Sequence, residues 1–259
     1  MKFNKIELGW TKLGIAFCLL LSVLLGCGET PVPPVNHSQP IVGPEQKMDV
    51  IVPEPEKPIS EFEQLFRDSG LVDLEEYIPG ILIELKYSST DNFVALDVYG
   101  DLDKCFLRKE AADKLKKAHD ILHETHPNHN FLVFDGVRPF RVQQLMWDSL
   151  DMPFKRNYLS PPSKGSVHNY GCAVDLSIAD STGKEIDMGT DFDFFGPLAQ
   201  PQLEWQMLAN GKLTKEQHEN RLLLRKSMKK AGFLDIRTEW WHFNAFGSSR
   251  VKSMFSRIP

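Results

Sequence analysis

Ser166-Val-His-Asn-Tyr-Gly-Cys-Ala-Val-Asp175 decides how this chain reads. It sets His168 and Asp175 seven residues apart across Gly171, then continues apolar through Leu176-Ser-Ile178. Gly171 permits a sharp backbone turn. The alternation of Ala173 to Ile178 predicts a strand that aims Ala173 and Asp175 at one face. A loop turning back onto its own strand would bring His168 and Asp175 to one point. An Asp in an otherwise apolar strand needs a partner, because burying a lone carboxylate costs several kcal/mol.

Far downstream, Glu239-Trp-Trp-His242 adds a second imidazole and a second carboxylate. His168, Asp175 and His242 make up three N/O ligands, and Glu239 is a carboxylate to spare. That is the inventory of a catalytic zinc site, with three protein ligands, an open position and a base beside it. Arg237 to Phe243 is rich in aromatic residues and reads as a strand. On a flat strand Glu239 and His242 would point to opposite faces, so a bulge or a strand end is required.

The two motifs, with Ser166, His168, Gly171, Ala173 and Asp175 in the first and Glu239 to His242 in the second, resemble the zinc D-Ala-D-Ala peptidases of the M15 class. Four further stretches resemble its D-alanyl-D-alanine dipeptidase branch, the VanX-like enzymes. They are Tyr87 to Phe93, Asp135-Gly-Val-Arg-Pro139, Asp187 to Asp193, and Asn220 to Phe233. The likeness runs from about Ile59 to Gly247, in the family's order.

The resemblance implies an α+β zinc-peptidase domain of the hedgehog/DD-peptidase type, a central antiparallel sheet with flanking helices. It implies His168, Asp175 and His242 as ligands of one Zn²⁺. Glu239 would be the general base and proton shuttle. Arg138 would steady the oxyanion. Ser166, Asp193 and Tyr87 would line the substrate pocket, with Asp193 meeting the ammonium. The implied reaction is hydrolysis of D-Ala-D-Ala to D-alanine in cell-wall peptide turnover. Two alternatives stay open: a carboxypeptidase or endopeptidase acting on peptidoglycan stem peptides, and a non-catalytic wall-binding lipoprotein.

At 259 residues the chain has room for one full domain plus extras. A net charge of −5 without a basic run gives no reason to expect nucleic acid. Residues 1–26 read as a signal peptide: Lys2, Lys5 and Lys12 precede an apolar core from Leu13 to Leu25. Leu24-Leu25-Gly26-Cys27 resembles a lipobox, with Cys27 as the lipidated residue of an exported, membrane-anchored lipoprotein. A plain secretory peptide or an uncleaved anchor are the alternatives. Gly28 after the cysteine would favour sorting to an outer membrane. Residues 27–58 are proline-rich and read as an extended tether, leaving 59–259 as the domain.

Within the domain, Ile81 to Tyr87 predicts a strand and Leu107 to Thr125 a helix closed by Pro127. His123, His126 and His129 cluster there and read as a solvated helix end. Phe131 to Phe134 predicts a buried strand and Phe140 to Leu150 a helix. Asp151 to Gly165 and Asp187 to Gly196 read as loops. Leu213 to Ala231 predicts a helix with Thr214 as N-cap, Gly232 as stop, and Leu222, Leu223 and Met228 in the core. Ser248 to Pro259 reads as a short polar tail. Cys105 and Cys172 lie in a compartment that permits a disulfide, but spacing cannot place them together. A fourth-ligand role for Cys172 would close the metal site.

Overall fold

The computed structural model describes residues 58–259 apart from 152 and 154. The signal peptide, Cys27 and nearly all of the tether therefore lie outside the described residues. Those described belong to one compact unit.

Helix α1 (Glu61–Asp68) starts where Ser60 accepts a hydrogen bond from the Glu63 N–H at 3.1 Å, a side-chain N-cap. Strand β1 (Leu71–Asp73) and the short α2 (Leu74–Tyr77) follow. Strand β2 (Leu82–Ile83) is brief, and Lys86–Ser88 forms a 3₁₀ turn. The expected strand from Ile81 to Tyr87 is thus cut to two residues, because the chain turns before Tyr87.

Strand β3 (Phe106–Arg108) pairs antiparallel with β1, and Leu107 lies opposite Val72. Leu107 therefore belongs to a strand, and helix α3 (Lys109–Thr125) begins two residues later than the sequence suggests. Its buried stripe of Ala111, Leu115, Ala118 and Leu122 follows the expected helical spacing. Strand β4 (Asn130–Asp135), helix α4 (Phe140–Asp148) and strand β5 (Ala173–Ala179) come next.

Helix α5 (Glu204–Ala209) precedes α6 (Lys215–Lys230). Thr214 and Gln217 close a reciprocal capping box at the start of α6, and Gly232 turns at φ +94° beyond its end. Met228 is buried on α6 and Leu223 packs against the core, but Leu222 is 40% exposed. The inward stripe is Arg221, Leu224 and Met228, and Leu222 lies about 100° further round the helix. Strands β6 (Leu234–Asp235) and β7 (His242–Asn244) complete the sheet. The expected polar tail is instead helix α7 (Ser248–Met254) followed by an extended segment that buries Ile258.

The main sheet has the order β2-β4-β5-β7-β6. It is antiparallel except where β2 runs parallel to β4. One face packs Phe131, Val133, Val174, Leu176, Ile178 and Phe243 together with residues of α3 and α6. The opposite face presents Leu132, Phe134, Asp175 and Ser177. Fully buried β5 thus has an apolar side held by helices and a second side carrying polar groups. Cys105 and Cys172 are both buried and unbridged, and Cys172 belongs to the core behind the sheet. Among the described residues no helix is long and apolar enough to cross a membrane.

Candidate active site

Strand pairing delivers two of the three expected ligands. Asp175 on β5 lies directly opposite His242 on β7, and Asp175 Oδ1 is 2.9 Å from His242 Nδ1. The third arrives on a 3₁₀ turn, Val167–Tyr170, capped by Ser166 and ended by Gly171 at φ +67°. A Cβ on Gly171 would meet Leu71 Cδ2 at 2.5 Å, so glycine is required by contact as well as by torsion. His168 Nε2 then stands 3.1 Å from His242 Nδ1 and 3.4 Å from Asp175 Oδ2.

These separations test whether the residues fit a metal. A tetrahedral centre with bonds of roughly 2.0–2.2 Å has ligand-to-ligand edges of roughly 3.3–3.6 Å. The two imidazole nitrogens lie 3.1 Å apart, His242 Nδ1 is 2.9 Å from Asp175 Oδ1 and His168 Nε2 is 3.4 Å from Asp175 Oδ2, so the pairs sit at or somewhat inside that range. Each imidazole is also engaged at its other nitrogen. His168 Nδ1 is 2.7 Å from the Gly136 carbonyl, so it carries the proton and leaves Nε2 bare. His242 Nε2 is 3.1 Å from Asn244 Oδ1, which leaves Nδ1 bare in the same way. Such outer partners fix tautomer and ring orientation for a metal ligand. Among the described residues this trio is the group of three that could hold an ion.

The electrostatics agree. Burial by itself would depress His168, but the Asp175 carboxylate outweighs it and raises the imidazole's affinity for a proton. Burial pushes Asp175 up, yet His168 and His242 together hold it well below the usual carboxylate range. The site therefore favours positive charge at the point where the three donors converge.

Glu239 precedes β7 in irregular chain. The strand end supplies the break that lets it share a cleft with His242. Loss of solvent pushes its carboxyl up to about 8, against the pull of His242. Arg138 lies just beyond β4. Its Nε and one terminal nitrogen both donate to Asp135 Oδ2, at 3.0 and 2.6 Å, and its other terminal nitrogen reaches Gln143 Oε1 at 3.3 Å. The guanidinium also lies over the Tyr87 ring, 5.0 Å from its centroid. Arg138 is thus in a structural ion pair and faces the cleft at the same time. Burial opposes its charge, but Asp135 outweighs this and keeps it cationic.

Asp193 adopts a left-handed backbone at φ +58°, unusual outside glycine. Its Oδ2 accepts a 2.8 Å hydrogen bond from the Tyr87 hydroxyl. Desolvation still pushes its carboxyl up to about 8. Ser166 accepts from the His168 N–H at 3.3 Å as the turn's cap, and its hydroxyl proton remains available to a ligand.

Tyr87, Arg138, Ser166, His168, Asp175, Asp193, Glu239 and His242 all line one cleft of about 280 Å³. Every candidate residue named from the sequence within the described part is therefore brought together there. His123, His126 and His129 are not among the lining residues; His123 pairs with Asn130 and His126 with Thr125.

Asp135, Gln143 and Asn244 support the site although sequence reasoning gave them no role. Asp135 is fully buried, and its second oxygen accepts from the Tyr99 hydroxyl at 2.7 Å. A register shift between Val133 and Asp135 sets it opposite Asp175. The available signal was an acid ending the apolar run Phe131 to Phe134.

The D-Ala-D-Ala dipeptidase family profile of the M15 peptidases matches residues 67–258. A D-alanyl-D-alanine dipeptidase of Escherichia coli K12 is 32% identical over 173 residues, covering 67% of this chain and 83% of its own. One from Enterococcus faecalis is 28% identical over 193 residues, covering 68% and 91%. A solved structure of the LdcB LD-carboxypeptidase aligns at a TM-score of 0.40 and 19% identity, over 72% of each chain. With the profile spanning nearly the whole described domain, this chain belongs to the D-Ala-D-Ala dipeptidase family of M15 peptidases.

Proposed function

We propose that this protein hydrolyses D-Ala-D-Ala to two D-alanines, using one Zn²⁺ held by His168, Asp175 and His242. The observation that carries the proposal is the convergence of these three donors with Glu239 and Arg138 on one cleft. When bound, zinc supplies Lewis acidity, lowering the pKa of a water to about 7 and polarising a carbonyl.

The remaining work falls to side chains. Glu239, half-buried at the cleft wall, removes the proton from the attacking water and delivers it to the leaving amine. A carboxyl pushed up toward neutrality is suited to doing both. Arg138 stays charged and cannot swing away, because Asp135 and Gln143 hold it. It is a preorganised donor for the developing oxyanion. Asp193 gains a cationic partner when the substrate ammonium enters, and Tyr87 orients it. Ser166 donates its hydroxyl proton to the substrate.

The cleft volume of about 280 Å³ lies at the small end of ligand pockets and favours a dipeptide over a stem peptide. For location, the Lys-rich start, apolar core and Cys27 support an exported lipoprotein, anchored by lipid and tethered by residues 27–58. A role in wall-peptide turnover follows from that placement.

The test is D-alanine release by the purified chain from D-Ala-D-Ala and from a wall pentapeptide, each with and without chelator. Chelator-sensitive cleavage of the dipeptide alone is the expected result. Cleavage of the pentapeptide would instead assign a stem-peptide carboxypeptidase or endopeptidase. Cleavage of neither, with zinc bound, would leave the wall-binding lipoprotein.

A further inference from the structure

The last four residues are joined to the two loops that carry His168 and Arg138. The Ile258 N–H donates to the Asn169 carbonyl at 2.8 Å, and the Ile258 carbonyl accepts from the Phe140 N–H at 2.8 Å. Asn169 follows His168 directly. Phe140 follows Arg138 and Pro139 and opens α4. One backbone residue thus bridges the turn bearing a metal ligand to the helix start beside the cationic residue.

The two loops are also tied to each other. The Arg138 N–H donates to the His168 carbonyl at 3.1 Å. The Asn169 side-chain amide donates to the Arg138 carbonyl at 2.8 Å and accepts from the Ser166 N–H at 2.7 Å. Pro139 has no N–H to contribute. With these bonds the Ile258 bridge closes a ring of backbone contacts around the base of the site.

Neighbours of Ile258 secure the segment. Arg257 Nε donates to the Tyr170 hydroxyl at 3.0 Å, and its guanidinium lies over the Phe140 ring. Arg108 donates to the Ser256 carbonyl at 3.2 Å. The Ile258 side chain is 2% exposed and packs with the cluster that contains Tyr87, Val137 and Val142. A free tail would satisfy its backbone with water; this one satisfies it on the turn of a metal ligand.

We infer that the C-terminal segment Ser256–Pro259 is a strap, and that Ile258 is a positioning residue holding His168 and Arg138 in register. The inference rests on the metal-site reading but not on the identity of the dipeptide. Removing the Ile258 N–H loosens the turn that aims His168 Nε2, so metal affinity falls. Loosening the Arg138 side of the bridge lowers kcat and leaves KM close to its original value. Proline carries no backbone N–H, so the substitution Ile258→Pro tests the bond directly, and Ile258→Val retains it.

The experiment uses the full chain and measures zinc affinity by competition with a chromogenic chelator. It adds the visible spectrum of the cobalt-loaded protein and the thermal unfolding of the metal-free protein. Leu224→Ala, a core lesion on α6 outside the cleft, controls for general destabilisation. Ile258→Pro is expected to weaken zinc about 10–100-fold, the range for loss of an outer-shell support, and to alter the cobalt spectrum. Ile258→Val and Leu224→Ala are expected to bind zinc as the unaltered chain does. Unchanged zinc affinity and spectrum in Ile258→Pro would overturn the inference, as would an equal loss in Leu224→Ala. If Ile258→Pro does not fold, Arg257→Ala takes its place, with a several-fold loss of zinc affinity expected and unchanged affinity overturning the strap. These readouts contain no substrate, so they stand apart from failure of the dipeptidase reading.

Discussion

One carboxylate oxygen of Asp135 receives two hydrogen bonds from Arg138, at 3.0 and 2.6 Å, inside the sheet end where both residues are buried. The Asp135 carboxylate and the Arg138 guanidinium are therefore mutually dependent. Breaking a buried pair from one side leaves an uncompensated charge and costs about 3–5 kcal/mol. Asp135→Ala is expected to lose stability on that scale, read from urea unfolding of the metal-free protein. Arg138→Lys keeps a charge but loses the fork that Asp135 and Gln143 hold. It is expected to lower kcat about 10²–10³-fold, the scale of a lost oxyanion donor.

Removing the Glu239 carboxylate is the change expected to separate chemistry from metal binding. Glu239→Gln is expected to lower kcat about 10²–10⁴-fold while zinc content, measured by elemental analysis, stays at one per chain. With Glu239 as the proposed base, the attacking step needs its ionised carboxylate, and kcat/KM of the unaltered enzyme is expected to rise with pH through the Glu239 titration. Glu239→Gln removes that acid limb. Persistence of the limb in the variant would place the base elsewhere.

Asn244 and the Gly136 carbonyl hold the outer nitrogens of His242 and His168, the two histidines proposed as zinc ligands. Asn244→Ala frees the His242 ring and is expected to weaken zinc about 10–100-fold. Zinc itself should stabilise the fold: at a free concentration a hundred times its Kd, the gain is about 2.7 kcal/mol. Differential scanning calorimetry with and without chelator measures it. A melting temperature insensitive to zinc would contradict a site formed only in the folded state.

His119 provides a pH dependence outside the cleft. It is buried on α3 against His123 and Phe131, with ring-centroid distances of 4.2 and 5.7 Å. Desolvation, with help from His123, pushes its pKa down to about 4. The unfolded chain then binds a proton that the folded chain refuses between about 6.5 and 4. This contribution to stability is present above pH 6.5 and is lost as the pH falls toward 4. Allowing for screening, the loss is on the order of 2 kcal/mol. Urea unfolding of the metal-free protein across that range should show it, and His119→Leu should flatten the slope.

Gly171 is the hinge of the ligand turn. Gly171→Ala demands a left-handed alanine and drives a Cβ into Leu71, contacts that cost about 1–3 kcal/mol or displace the turn. Lower stability together with weaker zinc binding is expected, measured on the same samples by calorimetry and chelator competition.

The donor set, the turn at Gly171, the strand through Asp175 and helices α3, α4 and α6 are all legible in the chain before it folds. The turn, the strand and the helices are signalled locally, by apolar periodicity, a capping residue or a glycine, and the donor set by two motifs and the family likeness they carry. A strand break between Glu239 and His242 was also required by side-chain alternation once the two were assigned to one site. The rest was settled by long-range packing. Asp135 became the anchor of Arg138 because a register shift in β4 set it beside Asp175, and register is a property of two strands. Leu107 became a strand residue because β1 was there to pair with it. The last residues, polar to the eye, became a strap because Asn169 and Phe140 offered backbone partners more than eighty residues away in sequence. Hydrogen bonding between distant backbones carries no residue signature, so nothing in the unfolded chain could announce it.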